Sequence, residues 1–222
     1  LKPEQLMSEP QPKESDQVAQ RRANFEALQR LGVDPYPRAF ARTHTVRELV
    51  SAYGGKTGEE LTAERVETKA AGRILAMRTF GKANFIAISD GESQIQAYIR
   101  QDSVSERDFA IFKLLDFGDF VGVEGYLFRT RTNELTIHVT KLEFLVKCFL
   151  PLPEKWHGLS DIEIRYRQRY LDLIVNPDSR ARLMMRSRIV ASIRATLAVR
   201  RFLEVETPVL EVDAGDRVPD ED

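Results

Sequence analysis

The stretch Gln94-Ile-Gln-Ala-Tyr-Ile-Arg100 decides the predicted fold, because every second residue in it is apolar and faces the same way. Such alternation is typical of a β-strand that has one face in a core and the other outside it. The stretch Leu135-Thr-Ile-His-Val-Thr140 repeats the pattern later in the chain. Gln96, Tyr98 and His138 are therefore expected on outer faces.

Alternation extends on both sides of these stretches and predicts five strands, at 66–79, 83–90, 94–100, 118–129 and 134–146. Between the third and fourth strands, residues 104–115 group their apolar side chains as on one face of a helix. Three strands, one helix and two strands is the order of an OB-fold, a small closed barrel. We therefore predict a mainly β fold, an OB-fold barrel.

Helical patterns flank the predicted barrel. Residues 14–31 carry apolar residues at helical spacing and end before Gly32, and a second helix is expected at 46–53. After the barrel, Ser160 and Glu163 form a capping-box pattern that opens a helix to about Val175. A further helix is expected from Pro177, followed by a strand-like stretch at 202–205.

This order predicts four regions. They are an N-terminal extension with helices at 1–63, the OB-fold domain at 64–150, a linker with a helix at 151–175 and a partial α+β segment at 176–222. The chain has 222 residues, which is more than one typical domain.

Composition excludes several classes of protein. With 42% hydrophobic and 30% charged residues the chain is too apolar for general disorder. Its single cysteine, Cys148, cannot form an intrachain disulfide, and three scattered histidines have no zinc-ligand spacing. No apolar run is long enough to cross a membrane and the amino end is polar, so we expect a cytoplasmic protein without a membrane partner.

Net charge is −1, and residues 64–147 hold twelve basic and twelve acidic residues. This balance of charge allows a local basic stripe on the barrel but does not require one. OB barrels bind single-stranded nucleic acid by stacking bases on exposed aromatic rings and reading base edges with amides and carboxylates. Residues of these kinds that could converge on one barrel face are Phe85, Gln96, Tyr98 and Glu134, with Arg73, Arg78, Lys82, Arg129 and Arg131 available for phosphates.

A second interpretation stays open, in which Phe85 packs inward as core and the basic residues are ordinary surface. The sequence shows no nucleophile beside a base, no metal cluster and no phosphate-binding glycine loop. By its residues alone, the chain is predicted to be a nucleic-acid-binding module.

Seven runs closely resemble class II lysyl-tRNA synthetases, over about residues 18–210. They are Ala71-Gly-Arg-Ile74, Phe80-Gly-Lys-Ala-Asn-Phe85, Gln94-Ile-Gln96, Gly118-Asp-Phe-Val-Gly-Val-Glu-Gly125, Phe128-Arg-Thr-Arg-Thr-Asn-Glu-Leu135, Pro151-Leu-Pro-Glu-Lys-Trp-His-Gly158 and Arg165-Tyr-Arg-Gln-Arg-Tyr-Leu-Asp-Leu173. The resemblance implies that the barrel binds the anticodon of tRNA(Lys). Phe85 would stack on a base, Gln96 and Glu134 would hydrogen-bond to bases, and Arg78 would lie nearby.

Residues 176–222 resemble the start of the class II catalytic domain, with its first signature motif at Arg186 to Leu210. In that family this motif forms the homodimer interface, which implies interface roles for Arg186, Ile193, Leu197 and Pro208. The family usually has a glycine after this helix, whereas Arg201 stands here. Because a left-handed cap without glycine costs about 1 kcal/mol, we expect a local change at the helix end.

The second and third class II motifs have no counterpart in these 222 residues. The resemblance implies that a full-length parent attaches lysine to tRNA(Lys) with ATP and Mg²⁺, while this chain alone has no catalytic, cofactor or metal residues and makes no adenylate. Three interpretations stay open: the amino-terminal part of such a synthetase, a stand-alone non-catalytic paralogue that binds tRNA or a partner synthetase, and a scaffold that only dimerises.

Overall fold

The computed structural model describes residues 16–81, 83–152, 159 and 161–206. The chain divides into two units, Leu1–Glu154 and Lys155–Asp222. The elements of the first unit are α1 (Asp16–Arg30), α2 (Val46–Tyr53), α3 (Gly58–Glu64), β1 (Glu67–Phe80), β2 (Ala83–Ser89), β3 (Gln94–Arg100), α4 (Glu106–Phe112), β4 (Phe120–Arg129) and β5 (Leu135–Val146).

The five strands close into a barrel in the order β1-β2-β3-β5-β4, with β1 also paired to β4. The β3–β5 pair is parallel and the other pairs are antiparallel. The helix between the third and fourth strands is α4, so the predicted OB-fold is confirmed. Each predicted strand agrees with the observed one to within two residues at either end.

The barrel interior is filled by the inward faces of the strands. Ile86, Ile99 and Ile137 are almost completely buried, as alternation requires. Short helices add apolar residues to this core, among them Leu49 of α2 and Leu61 of α3. Both helices begin with a capping box, at Thr45 with Glu48 and at Thr57 with Glu60. The sequence analysis did not predict α3, a seven-residue helix that depends on this cap and on Leu61.

A buried ion cluster joins β4, β5 and α1. Nζ of Lys147 donates to Oδ2 of Asp119 at 2.8 Å, and both side chains are fully buried. The same ammonium donates to Oδ2 of Asp116 at 2.5 Å, and Asn24 of α1 donates to that oxygen at 3.0 Å. The backbone N–H of Cys148 donates to the second Asp119 oxygen at 2.8 Å. These bonds compensate the burial of the charges and fix the helix to the barrel.

The second unit contains α5 (Ile162–Arg167), α6 (Arg169–Val175) and α7 (Pro177–Val199). The single helix predicted up to Val175 is broken at Gln168, whose ψ of 56° is not helical. Asp161 caps α5 through its carboxylate, and Ser160 lies outside the described residues. The predicted strand at 202–205 is wrong, because residues 202–206 have no strand neighbour in the described part of this unit.

Asp172 organises this unit. Its buried carboxylate accepts hydrogen bonds from Arg165 at 2.8 Å, Arg169 at 2.9 Å, Asn176 at 2.7 Å and Ser179 at 3.2 Å. Burial alone would raise the pKa of Asp172, but these bonds outweigh it and lower the pKa to about 2. The carboxylate therefore holds α5, α6 and the start of α7 together.

Helix α7 ends in a left-handed cap that has arginine where glycine is usual. Arg201 has a φ of 65°, its N–H donates to the Ala198 carbonyl at 2.9 Å, and the N–H of Phe202 donates to Leu197 at 3.1 Å. This pair of bonds is the Schellman motif. The expectation of a local change at the helix end is therefore wrong. The cap keeps its left-handed form, because the carbonyls of Ala198 and Leu197 both accept hydrogen bonds.

Candidate nucleic-acid interface

Cross-strand register places one row of residues around the outside of the barrel. Phe85 on β2 pairs with Tyr98 on β3, Tyr98 pairs with His138 on β5, and His138 pairs with Tyr126 on β4. Partners in register project from the same face of a sheet. We call these four residues the aromatic row; on the other side of Phe85, its β1 partner is Arg78.

The rings of the aromatic row are in contact. Phe85 and Tyr98 stack with centroids 4.7 Å apart, and His138 and Tyr126 stack at 4.8 Å with planes 7° apart. Tyr98 meets His138 nearly edge-on at 5.5 Å, and Phe128 lies 6.0 Å from Tyr98. Each ring is half-buried by its neighbours, so the row is an ordered aromatic surface.

A groove with a volume of about 430 Å³ opens at the Phe85 end of the row. It brings together the four residues that match base-contacting positions, Arg78, Phe85, Gln96 and Glu134. Phe85 is half-buried on the outer face, so it does not pack inward as core. The groove thus combines an aromatic ring, an amide, a carboxylate and a guanidinium. Proteins use side chains of these kinds to bind single-stranded nucleic acid.

The amide of Gln96 is held by a buried hydroxyl. Oγ1 of Thr136 lies 3.0 Å from Oε1 of Gln96, and Thr136 is fully buried. Nε2 of Gln96 has no partner within the described part of the chain, so it is left to donate to a ligand. Glu134 is exposed, and its backbone N–H and carbonyl both bond to Thr130 in the β4–β5 turn.

Of the five candidate phosphate contacts, the four that the structure describes do not lie together. Arg78 and Arg131 are exposed at the groove, and neither has an ion pair among residues that the structure describes. Arg73 is on β1, where it donates to the Gly118 carbonyl at 3.0 Å and covers the Phe120 ring. Lys82 lies outside the described residues.

Arg129 does not line this groove. Its guanidinium donates to three backbone carbonyls, those of Lys56 at 3.0 Å, Asn133 at 2.7 Å and Gly54 at 2.5 Å. These bonds join the β4–β5 turn to the loop between α2 and α3. The geometry therefore gives Arg129 a structural role and leaves Arg78 and Arg131 as the groove's cations.

His138 is the ionisable member of the aromatic row. Its Nδ1 is buried and has no hydrogen-bond partner among the described residues. Burial lowers the pKa of His138, and the nearby positive charge of Arg100 lowers it further. Both effects favour the neutral imidazole over the charged form. Sequence reasoning placed His138 on an outer face but missed the row, because alternation in one strand carries no information about register with its neighbour.

Three of the four residues matched to a dimer interface lie on α7. Ile193 is 54% exposed and Leu197 is 44% exposed, and Arg186 is also exposed. Their spacing of seven and four residues places them on one face of the helix. Pro208 lies outside the described residues.

No group of three or more His, Cys, Asp or Glu side chains within the described ranges could hold a metal ion. No helix in that part of the chain has both the length and the apolar character needed to span a membrane.

Comparison with known proteins identifies both units. Residues 68–145 match the family of OB-fold nucleic-acid-binding domains, and residues 161–218 match class II tRNA synthetases of the D, K and N type. The chain is 48% identical to a lysine–tRNA ligase of Lactococcus lactis over 201 residues, 46% to that of Bacillus subtilis and 49% to that of Streptococcus suis. Each match covers 90% of this chain and 40–41% of the relative, so the chain spans about two fifths of their length.

Proposed function

This chain belongs to the class II lysyl-tRNA synthetase family, and from that premise we propose that its first unit binds the anticodon loop of tRNA(Lys). The observation that carries the proposal is the single groove in which Arg78, Phe85, Gln96 and Glu134 converge. These residues come from three strands and one turn, so only the folded barrel assembles them.

Each groove residue has a role that its chemistry supports. Phe85 offers a ring for base stacking, which contributes about 1–3 kcal/mol per base. Nε2 of Gln96 can donate to a base edge, and the exposed Glu134 carboxylate can accept from a base amino or imino group. Arg78 and Arg131 can neutralise phosphates, whereas the Glu134 carboxylate repels them.

Binding by this groove requires no basic surface over the whole barrel. Basic and acidic residues balance between 64 and 147. Stacking and base-edge hydrogen bonds therefore supply discrimination, while the two groove arginines supply a local attraction whose strength falls with salt.

We further propose that the full-length protein attaches lysine to tRNA(Lys) in the cytoplasm, using ATP and Mg²⁺. The residues of this chain do not fit ATP or Mg²⁺. The described part has no metal-ligating cluster, and the sequence lacks the second and third class II motifs. No step of adenylate chemistry is assigned to this chain.

We also propose that α7 contributes to a homodimer. Its exposed apolar residues support an interface with a second copy of the chain.

Sedimentation of the full 222-residue chain should then show dimers without RNA. Ile193→Asp should give monomers, whereas Ala191→Asp, on the opposite face of α7, should not. A chain that is monomeric at tens of micromolar would contradict this proposal.

The anticodon proposal is tested by titrating the full chain with a tRNA(Lys) anticodon stem-loop and with stem-loops that differ only in the anticodon. We expect tighter binding of the cognate loop and no ATP–pyrophosphate exchange. Equal affinity for all loops would refute anticodon recognition, and exchange activity would refute the absence of a catalytic site.

A further inference from the structure

A second cavity opens beside the groove, at the Tyr126 end of the aromatic row. Its volume is about 250 Å³ and it is lined by Leu61, Thr62, Arg65, Tyr126, Leu127 and Phe128. Phe128 also lines the groove that contains Phe85 and Gln96. The two depressions are therefore neighbours that share Phe128 in their walls.

Arg65 gives this cavity its positive charge. The guanidinium lies over the Tyr126 ring, with Cζ 5.4 Å from the centroid, and no acidic side chain lines the cavity. Arg65 pairs with Glu67 at 3.2 Å, but both side chains are mostly exposed, at 74% and 63%. Such exposed pairs contribute little, so an incoming phosphate can replace the carboxylate.

The backbone at Arg65 supports a functional role for its side chain. Arg65 is the C-cap of α3 and has a left-handed φ of 43°. Glycine adopts this conformation without the steric cost that other residues bear. Strained residues that are not glycine concentrate at functional sites, which points to a use for the arginine side chain here.

Tyr126 presents an ordered ring at the cavity. His138 stacks against it at 4.8 Å, and His138 in turn contacts Tyr98 and Phe128. Burial lowers the pKa of His138 and so disfavours a positive charge behind Tyr126. The β1 neighbours differ at the two ends of the row: the partner of Tyr126 is Glu67, which pairs with Arg65, whereas the partner of Phe85 is Arg78.

We propose that the second cavity binds the nucleotide next to the anticodon triplet in the same RNA strand, with its base against Tyr126 and Phe128 and its phosphate on Arg65. The inference rests on the proposed anticodon function. The occupant is one nucleotide because the cavity is smaller than the 300–1,000 Å³ or so of typical ligand pockets. It belongs to the same strand because the cavity and the groove share Phe128 and are therefore adjacent.

The base contact is tested with the full chain and stem-loops that carry one abasic nucleotide beside the triplet. On the intact loop, Tyr126→Leu should weaken binding at least about 5-fold, the lower end of a base stack. On the loop that is abasic at the contacted position, the same substitution should have no effect. A loss of equal size on intact and abasic loops would overturn the proposal, because Tyr126 would then act only through packing within the row.

The phosphate contact is tested by the salt dependence of binding. Arg65→Gln should reduce the slope of log K against log salt by about 0.7, the value for one phosphate on a single strand. Arg65→Lys should retain the slope. Arg30→Gln is the matched control, since this exposed arginine is on α1, which carries no residue of the row. An unchanged slope in Arg65→Gln would overturn the phosphate contact.

Failure of this inference is distinguishable from failure of the proposed function. If the cognate loop binds and Phe85→Ala weakens it, while Tyr126→Leu and Arg65→Gln change nothing, only the second cavity is refuted. If the wild-type chain shows no preference for the cognate loop, the proposed function fails and this inference fails with it. Melting temperatures of the variants identify any loss of affinity that is due to unfolding.

Discussion

Oγ1 of Thr136 lies 3.0 Å from Oε1 of Gln96, across the parallel strands β3 and β5, and 3.1 Å from the Glu134 carbonyl, and its single hydrogen is shared between these two acceptors. Thr136 is fully buried, so water does not compete for this bond. The bond engages the oxygen of the amide and leaves its nitrogen for a ligand. An amide fixed in this way can discriminate between a base that offers an acceptor and one that offers a donor.

Thr136→Val should therefore reduce discrimination between cognate and non-cognate anticodon loops, with a smaller change in overall affinity. Gln96→Ala should do the same, and the double variant should lose no more than Gln96→Ala alone, because both substitutions act on one amide. Titration of matched stem-loops measures the ratio of affinities. Thr140→Val, an exposed hydroxyl further along β5, is the control. Equal losses on cognate and non-cognate loops would contradict the role of Gln96.

Phe85→Ala should weaken binding of a tRNA(Lys) anticodon stem-loop by about 1–3 kcal/mol, because it removes a stacking ring. Tyr36→Ala is the control, since Tyr36 is a 60% exposed aromatic side chain before α2, outside the groove. Fluorescence titration of the two variants compares them directly. Unchanged affinity in Phe85→Ala would mean that the ring only supports Tyr98.

Lys147→Met should lower the free energy of unfolding by about 3–5 kcal/mol, because Asp119 and Asp116 would be left without their cation. Lys141→Met should cost less than about 1 kcal/mol, since the Lys141 pairs with Glu124 and Glu143 are partly exposed. Urea denaturation of both variants tests this difference. Similar losses of unfolding free energy in the two variants would show that the buried ammonium of Lys147 stabilises the fold no more than the exposed one of Lys141.

The stability of the second unit should depend on pH through Asp172. Its pKa of about 2 lies below the ordinary 3.8, so its contribution is fully present above 3.8 and is lost as the pH falls through about 2. Hydrogen exchange of amides in α6 and α7, corrected for intrinsic rates, measures this loss. Asp172→Asn should remove this dependence, and Asp178→Asn, an exposed carboxylate at the start of α7, should retain it. An NMR titration midpoint near 3.8 for Asp172 would contradict the prediction.

Arg201→Gly should stabilise the second unit by about 1 kcal/mol, because glycine adopts the left-handed φ of 65° without a Cβ clash. Arg200→Gly is the matched control. Arg200 has an ordinary φ of −82°, so glycine there only adds entropy to the unfolded chain and should destabilise. Thermal unfolding of the two variants should therefore shift in opposite directions. A shift in the same direction would refute the strain at Arg201.

The barrel was predictable because alternation is a local property. The periodicity of Gln94–Arg100 and Leu135–Val146 shows which side chains are inward without any knowledge of neighbours. The strand expected at 202–205 failed for the opposite reason: a strand exists only when another strand accepts its hydrogen bonds. Helix α3 was missed because seven residues with one buried leucine carry too little periodic signal.

The individual roles of the arginines were not predictable from residue type. Arg73 and Arg129 were candidates equal to Arg78 and Arg131, and only the fold shows that Arg129 donates to three carbonyls while Arg131 lies exposed at the groove. A guanidinium has the same donors in both settings. Its role depends on which acceptors the neighbouring elements bring within reach.

The sequence by itself determined the order of strands and helices along the barrel segment, the core faces and the kinds of side chain offered to a ligand, since these follow from local periodicity and residue chemistry. Tertiary structure alone decided that Phe85, Tyr98, His138 and Tyr126 form one row, and that Thr136 orients Gln96. The physical reason is register. Alternation shows which face a residue occupies, but pairing between strands distant in sequence decides which residues on that face are neighbours.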